Sequence, residues 1–343
     1  MRSISEGCSS AGVSKPKRNP LAYGAARAVL AITTSFVASH ALGQAYPVKP
    51  IRIIVNNQPG GTSDFFARVI GQTITDATQQ PVLVDNRPGA SGNVAAEAVS
   101  RSAADGYTLL MTGSTALTVN PSLFRKLAYD SMRDLTPISM IAVFPSFLVA
   151  HPSLPVRNVK ELIALARTRP GELSYASTGR GQTSHLGMEL LKTMAKVDIY
   201  HIPYKASVAA LVDLIGGRVT VMLATVPASL SHVRNGRLRA LAVTSLKRTA
   251  IMPDLPSVAE AGLPGYEITL WHGFFAPAGT PEGAITRLNT IVVQALENPT
   301  VRKKLTDEGA EPLGSSPRRA QEQMKLDIVK WKKLIDEAGV KPD

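Results

Sequence analysis

The stretch "IRIIVNNQPGGTSDFFARVIGQ", residues 51–72, decides the reading of the fold. Its first five residues, Ile51 to Val55, are β-branched but for one arginine and read as a strand. Pro59, Gly60 and Gly61 then break the chain, and Thr62, Ser63 and Asp64 open a run with helical spacing. A strand passing through two glycines into a helix is one βα unit. Glycine tolerates positive φ and lets a backbone approach another group closely. The first N–H groups of the helix lack internal partners and carry partial positive charge, so a carboxylate or phosphate docks there readily. A capped turn with no ligand is the other reading, and this stretch alone does not separate the two. No Gly-Lys-Ser/Thr follows, so it is not a nucleotide P-loop. Asp64, in the first helical turn, suits the helix dipole and supports the loop.

Outward from this unit the pattern alternates. "PVLVDNR" and "YTLLMTG" read as strands, with "NVAAEAVSRSA" a helix between them. The βαβαβ order predicts a sheet with helices on both faces. After the apolar strand "FPSFLVA", residues 144–150, a second set of alternating helices and strands runs to "LRALAVTS". The region "YEITLWHGFFAPAG" is strand again, and two long amphipathic helices close the chain. The expectation is an α/β, two-lobed architecture of the type II periplasmic-binding-protein kind. Each lobe is a mixed, mainly parallel sheet flanked by helices. The crossings near 144–150 and 268–275 divide the chain into lobe 1 at 46–147 plus 270–343, and lobe 2 at 148–269. Ligands in open α/β sheets bind at the carboxyl ends of strands, which places the cleft between the lobes.

A second stretch repeats the design. In "SYASTGRGQTSHLG", residues 174–187, a strand runs into small and polar residues before a helix begins. Two such loops facing one another can hold an anion from both sides. Gly179 and Gly181 lack the third glycine of a dinucleotide fingerprint. Ser184 and His185 are adjacent, which invites a hydrolase reading. The run Gln-Thr-Ser-His-Leu does not match the Gly-x-Ser-x-Gly elbow, and neighbours on a helix point about 100° apart. His201, His232 and His272 are scattered without ligand spacing, so no metal and no cofactor are expected. Trp271 reads equally as a cleft wall or as core. Tyr204 and Lys205, at the end of "DIYHIPY", are placed for a ligand, with a solvated lysine as the alternative. Arg180 either reaches a distal carboxylate or points to water.

The first 45 residues differ in composition. Lys15, Lys17, Arg18 and Arg27 lead, "AVLAITTSFVA" at 28–38 is a short apolar core, and Gly43 and Ala45 stand at the −3 and −1 positions of a cleavage site. This is the layout of a secretory signal peptide over residues 1–45, removed on export to the periplasm. The apolar core falls short of the ~20 residues a membrane span needs. The one cysteine, Cys8, lies inside this leader, so a mature chain has no disulfide and no thiol chemistry. The net charge of +12 includes five leader bases and one leader acid, leaving 12 − 4 = +8. A basic surface suits anionic solutes or nucleic acid. Aromatics at 5% without a basic stripe, together with export, argue against nucleic acid.

The motifs "PGGTSDFFAR", "VLVDNRPGASGNVAAEAV", "YASTGRGQTSHLGMELL", "IPYK", "DLIGGRVTVML", "PDLPSVAEAGLPGYE" and "WHGFFAPAGTP" follow one another in an order that resembles the Bug/TctC-type substrate-binding proteins of tripartite tricarboxylate transporters. The resemblance spans residues 46–343. It implies a binding protein, not an enzyme, which closes on a small carboxylate and delivers it, as a monomer, to membrane subunits of such a transporter. An orphan receptor presenting its ligand to a membrane sensor is the alternative, and an exported hydrolase a remote one. By resemblance the first ligand loop is Pro59, Gly60, Gly61 and Thr62, supported by Asp64. The second begins with Ser177, Thr178 and Gly179 and continues through Gly181, Gln182 and Thr183 to His185. Tyr204 lies at the matching Pro-Tyr turn. The chain departs from the family pattern at Ala206 and Ser207 after "IPYK", and at Ala224 and Thr225 after "VML". The lack of an acid at the latter leans away from amino-acid ligands towards a plain carboxylate.

Overall fold

The computed structural model describes residues 46–204, 207–337 and 339–340, together with Gly12. Apart from Gly12, the leader read at residues 1–45 lies outside the described residues, as do Lys205 and Ala206. Tyr46–Asp343 forms one unit and is described by itself.

Burial on both faces makes the first sheet. β1 (Ile51–Val55) leads into α1 (Thr62–Thr78), β2 (Val82–Asn86), α2 (Asn93–Ser100) and β3 (Thr108–Gly113). β1 lies between β2 and β3, parallel to both, with Ile53 opposite Val84 and Leu109. Ile51, Ile53 and Val55 point to one face and pack with Phe66, Ile70 and Ile74, which recur every fourth residue along α1. Ile54 points to the other face and joins Ala95, Ala96 and Val99 of α2. Alternation along one strand thus calls for a helix on each side.

A π-helical turn, Thr115–Val119, and the short α3 (Asn120–Leu123) lead to β4 (Leu135–Ala150), a strand of 16 residues. The second half of the chain supplies α4 (Val159–Thr168), β5 (Ser174–Ser177), α5 (Thr183–Ala195), β6 (Tyr200–Pro203) and α6 (Ser207–Ile215). It continues with β7 (Val221–Thr225), α7 (Val226–Arg234), β8 (Arg239–Val243) and β9 (Thr269–Pro277). β4 pairs antiparallel with β9 from Leu135 to Pro145, then with β7 and β8 from Ser146 to Ala150. The order β2-β1-β3-β9-β4-β7-β5-β6 therefore runs through β4 from one lobe into the other. The sheet is mixed. β5 is parallel to β6 and β7, as β1 is to β2 and β3, and the antiparallel pairings belong to the long strands β4 and β9.

The chain closes with α8 (Glu282–Glu297), α9 (Pro299–Asp307), β10 (Glu311–Pro312) and α10 (Pro317–Glu337). α10 contributes Ala320 and Met324 to the cluster around Ile54, and Trp331, Leu334 and Ile335 to the cluster around Tyr175 and Leu186. One helix is therefore built into the core on both sides of the crossing. Among the described residues, no helix is long and apolar enough to cross a membrane.

Candidate functional site

The first loop turns on its glycines. Gly60 adopts φ +83°, a left-handed conformation that L side chains adopt at a cost. Gly61 is the N-cap of α1 with extended backbone, so the N-cap residue itself offers no side-chain cap. Four polar side chains, Asn57, Asp64, Arg68 and Asn86, instead brace the loop from behind. Asn57 Oδ1 accepts the Asp64 amide at 3.2 Å. The Asp64 carboxylate accepts the Gly60 amide at 2.9 Å, Arg68 through two nitrogens at 2.9 and 3.0 Å, and Asn86 Nδ2 at 3.0 Å. Burial opposes ionisation of Asp64, but the bonds from Arg68, Gly60 and Asn86 outweigh it and hold the carboxyl below its ordinary range. The acid is therefore engaged by the loop, while the Thr62 and Ser63 amides stand at the uncapped helix start. A cavity of about 360 Å³ opens beside it, bordered by Gly60, Gly61, Thr62, Phe144, Pro227 and Glu308. Phe144 stands on β4 just before the crossing, and Pro227 at the start of α7, so this loop looks towards the other lobe.

The second loop is tied down differently. Gln182 is the N-cap of α5 and its side chain makes no capping bond. Ser177, fully buried, accepts the Gly179 amide at 3.1 Å through Oγ, which also lies 2.7 Å from His201 Nε2. Ser184 Oγ accepts the Thr178 amide at 3.0 Å and lies 3.0 Å from the Thr178 hydroxyl. His185 Nδ1 accepts the Gly181 amide at 3.1 Å. Ser184 and His185 thus have separate partners, and the adjacent pair that suggested a hydrolase forms no dyad. Gly179 (φ +124°) and Gly181 (φ +73°) supply the positive φ this path needs. A Cβ at Gly181 would stand 2.9 Å from Leu123 Cδ1 of α3, so this loop in turn lies against the first lobe.

The remaining sequence candidates fall on either side of this arrangement. Thr183 opens α5 and is half-buried. The Tyr204 amide donates to Ser177 O at 3.0 Å and its hydroxyl donates to Asp213 at 2.8 Å. Burial and the Asp213 carboxylate push that phenol up to about 12. Arg180 is exposed at the loop tip. Trp271 settles as core, 2% exposed, with Nε1 donating to Asp327 at 2.7 Å. Pro59 is exposed in the first turn.

A match to the family described as tripartite tricarboxylate transporter family receptor, TctC, covers residues 66–340. The chain belongs to this receptor family. Among its curated relatives is BugT of Bordetella pertussis, 38% identical over 311 residues that cover 90% of this chain and 95% of that one. Two solved relatives share the two-lobed fold. Rpa4515 of R. palustris, solved with adipate, is 40% identical with TM-score 0.75, over 87% of this chain and all of the other (100%). MatC of Rhodopseudomonas palustris, with bound malate, is 31% identical with TM-score 0.69, over 84% and 100%. As a TctC receptor the chain is a solute-binding protein of a tripartite transport system. Within this receptor, reading by motif passed over Asn57, Asn86 and His201. His201 carries a signal in hindsight, because it stands opposite Tyr175 in the β5–β6 register, next to the serine that ends β5.

Proposed function

We propose that this TctC receptor is exported through the leader at residues 1–45 and, as a monomer, captures a small organic carboxylate between its lobes for delivery to membrane subunits. The lobes are 46–147 plus 270–343, and 148–269, hinged where β4 changes partners. The observation that carries this is the pair of helix starts whose first two amides meet no side-chain cap, Thr62 and Ser63 on α1 and Thr183 and Ser184 on α5, each following a glycine loop that borders the opposite lobe. At α4 and α9 a side chain fills this role: Asn158 accepts the Glu161 amide and Asn298 accepts the Thr300 amide. The starts of α2, α7 and α8 also lack a side-chain cap, so what sets α1 and α5 apart is the glycine loop that borders the opposite lobe. A carboxylate head group completes what α1 and α5 leave open. The adipate and malate held by the two solved relatives belong to the same chemical class.

The ligand leaves as it arrived. Ser184 and His185 are turned to the loop backbone and serve no nucleophilic step. Affinity reflects how far the ligand stabilises the closed arrangement of the lobes. Calorimetry of ligand-stripped protein against adipate, malate and citrate tests the proposal. Saturable binding of at least one is expected, and silence across the three acids would overturn it.

A further inference from the structure

Beneath the second loop lies a stack of three rings from three elements. Tyr175 of β5, His201 of β6 and His185 of α5 lie with centroids 4.7 and 4.2 Å apart and planes within 15° and 27° of parallel. The outer imidazole takes the Gly181 amide on Nδ1, and the middle one meets the Ser177 hydroxyl, which in turn takes the Gly179 amide. The two glycine amides of the loop are thus fixed from below, one directly and one through Ser177. The amides of Thr183 and Ser184, at the uncapped start of α5, remain for an anion.

This geometry requires a particular protonation state. A ring nitrogen accepts an N–H only when it carries no proton itself, so His185 must be neutral with its proton on Nε2. A protonated His185 would aim N–H at N–H, and the Gly181 amide would lose its partner. We propose that His185 and His201 are positioning residues, a stacked pair of imidazoles that holds the loop Ser177–Gln182 in its anion-accepting shape, and that protonation of His185 releases it. The proposal rests on the carboxylate-binding role of this loop given above. Under it, capture of the solute is strongest at neutral pH and fades on acidification by a route separate from protonation of the solute.

The groups facing the pair fix the direction. Burial works against a charge on His185, and Arg180 in the loop and Lys192 on α5 add to it, while Glu189 on α5 opposes them. Glu189 is itself engaged by the Tyr175 hydroxyl and by Lys192 at 2.8 Å. His201, half-buried and beside a second imidazole, is pushed down to about 4. Both rings therefore lie below the ordinary histidine value and are neutral at pH 7.

Two measurements on the same samples decide it. In ¹⁵N-labelled protein without ligand, the Gly181 amide signal should move together with the His185 ring signals as the pH falls from about 7.5 to about 4. Adipate affinity is then read by calorimetry over that range for the wild type, H185N and H185L. Asparagine offers an amide oxygen that accepts the Gly181 proton but does not titrate, whereas leucine accepts nothing. H185N should flatten the acid limb relative to the wild type, and should bind adipate about tenfold tighter than H185L at neutral pH, the worth of one retained hydrogen bond. Adipate takes up the same protons in every sample, so differences between variants report on the protein. A Gly181 amide that stays still while His185 titrates, or an H185N acid limb that matches the wild type, would overturn the proposal. Should these variants fail to fold, the wild-type amide titration decides alone. A Gly181 amide that follows His185 in a protein that binds no adipate, malate or citrate would support the brace and sink the carboxylate role instead.

Discussion

Gly60 and Gly61 are neighbours with different reasons to be glycine. At Gly60 the backbone sits at φ +83° with open space where a Cβ would go, so the constraint is conformational. At Gly61 the backbone is extended at φ −80° and a Cβ would collide with the Asn57 side chain, so the constraint is spatial. Asn57 caps the Asp64 amide, and a branched side chain at 61 both displaces it and stands before the Thr62 and Ser63 amides. Gly61→Val is therefore expected to abolish adipate binding while costing only ~1–2 kcal/mol of stability, the usual worth of a lost cap. Calorimetry beside a urea melt checks both halves, and retained affinity would reduce the first loop to a plain turn. At this scale the glycines and hydroxyls of both loops could be picked out in the sequence, because strand, glycine and helix start are local signals. The braces could not. Asn86 reaches Asp64 across 22 residues, and His201 reaches Ser177 across 24, and only the sheet register brings them together.

Among the elements, strands and helices with strong periodicity were legible within a few residues. The helical run that Thr62, Ser63 and Asp64 open is α1 from Thr62, and the helix expected after the second loop is α5 from Thr183. β4 was read only as its last part, 144–150, because Pro137 and Pro145 interrupt the apolar pattern. Both are tolerated in a strand that shifts register near Pro137 and changes partners beside Pro145. α3, the π-helical turn before it and α9 went unread, being short or lacking an apolar stripe. α10 was read as an amphipathic helix, but its division between two hydrophobic clusters is a tertiary fact. Trp331, 2% exposed, anchors its second half among residues of the second lobe, such as Leu186 and Tyr266. Trp331→Ala should cost ~3–5 kcal/mol, in the range for a buried Trp-sized deletion. Because α10 is also fixed through Ala320 and Met324, the loss should shift the midpoint of a single urea transition. Two separated transitions in the variant would mean that α10 does not couple the lobes.

For the whole molecule, function depends on how closely the lobes meet, and the structure offers one contact at which that closeness can be measured. Gly181 in the second loop and Leu123 on α3 stand on opposite sides of the proposed cleft, and a Cβ at 181 would stand 2.9 Å from the leucine. Gly181→Ala brings two separate penalties. One is local, an L side chain at φ +73°, worth ~1–2 kcal/mol whatever the lobes do. The other is steric, and exists only if the loop approaches α3 in the ligand-holding state. Leu123→Ala removes the obstructing methyl groups without touching the backbone of the loop. A double-mutant cycle on adipate affinity separates the two. The backbone penalty is present with or without ligand and falls on stability, so Gly181→Ala alone should weaken binding by roughly tenfold through the steric penalty. In the Leu123→Ala background the same change should cost about 1 kcal/mol less affinity, leaving only its effect on stability. Effects that simply add would show that the lobes do not press together at this point when ligand is held. The second loop would then act from its own lobe alone, and closure would have to be driven from the cavity beside Gly61 and Pro227 on the other side of the crossing.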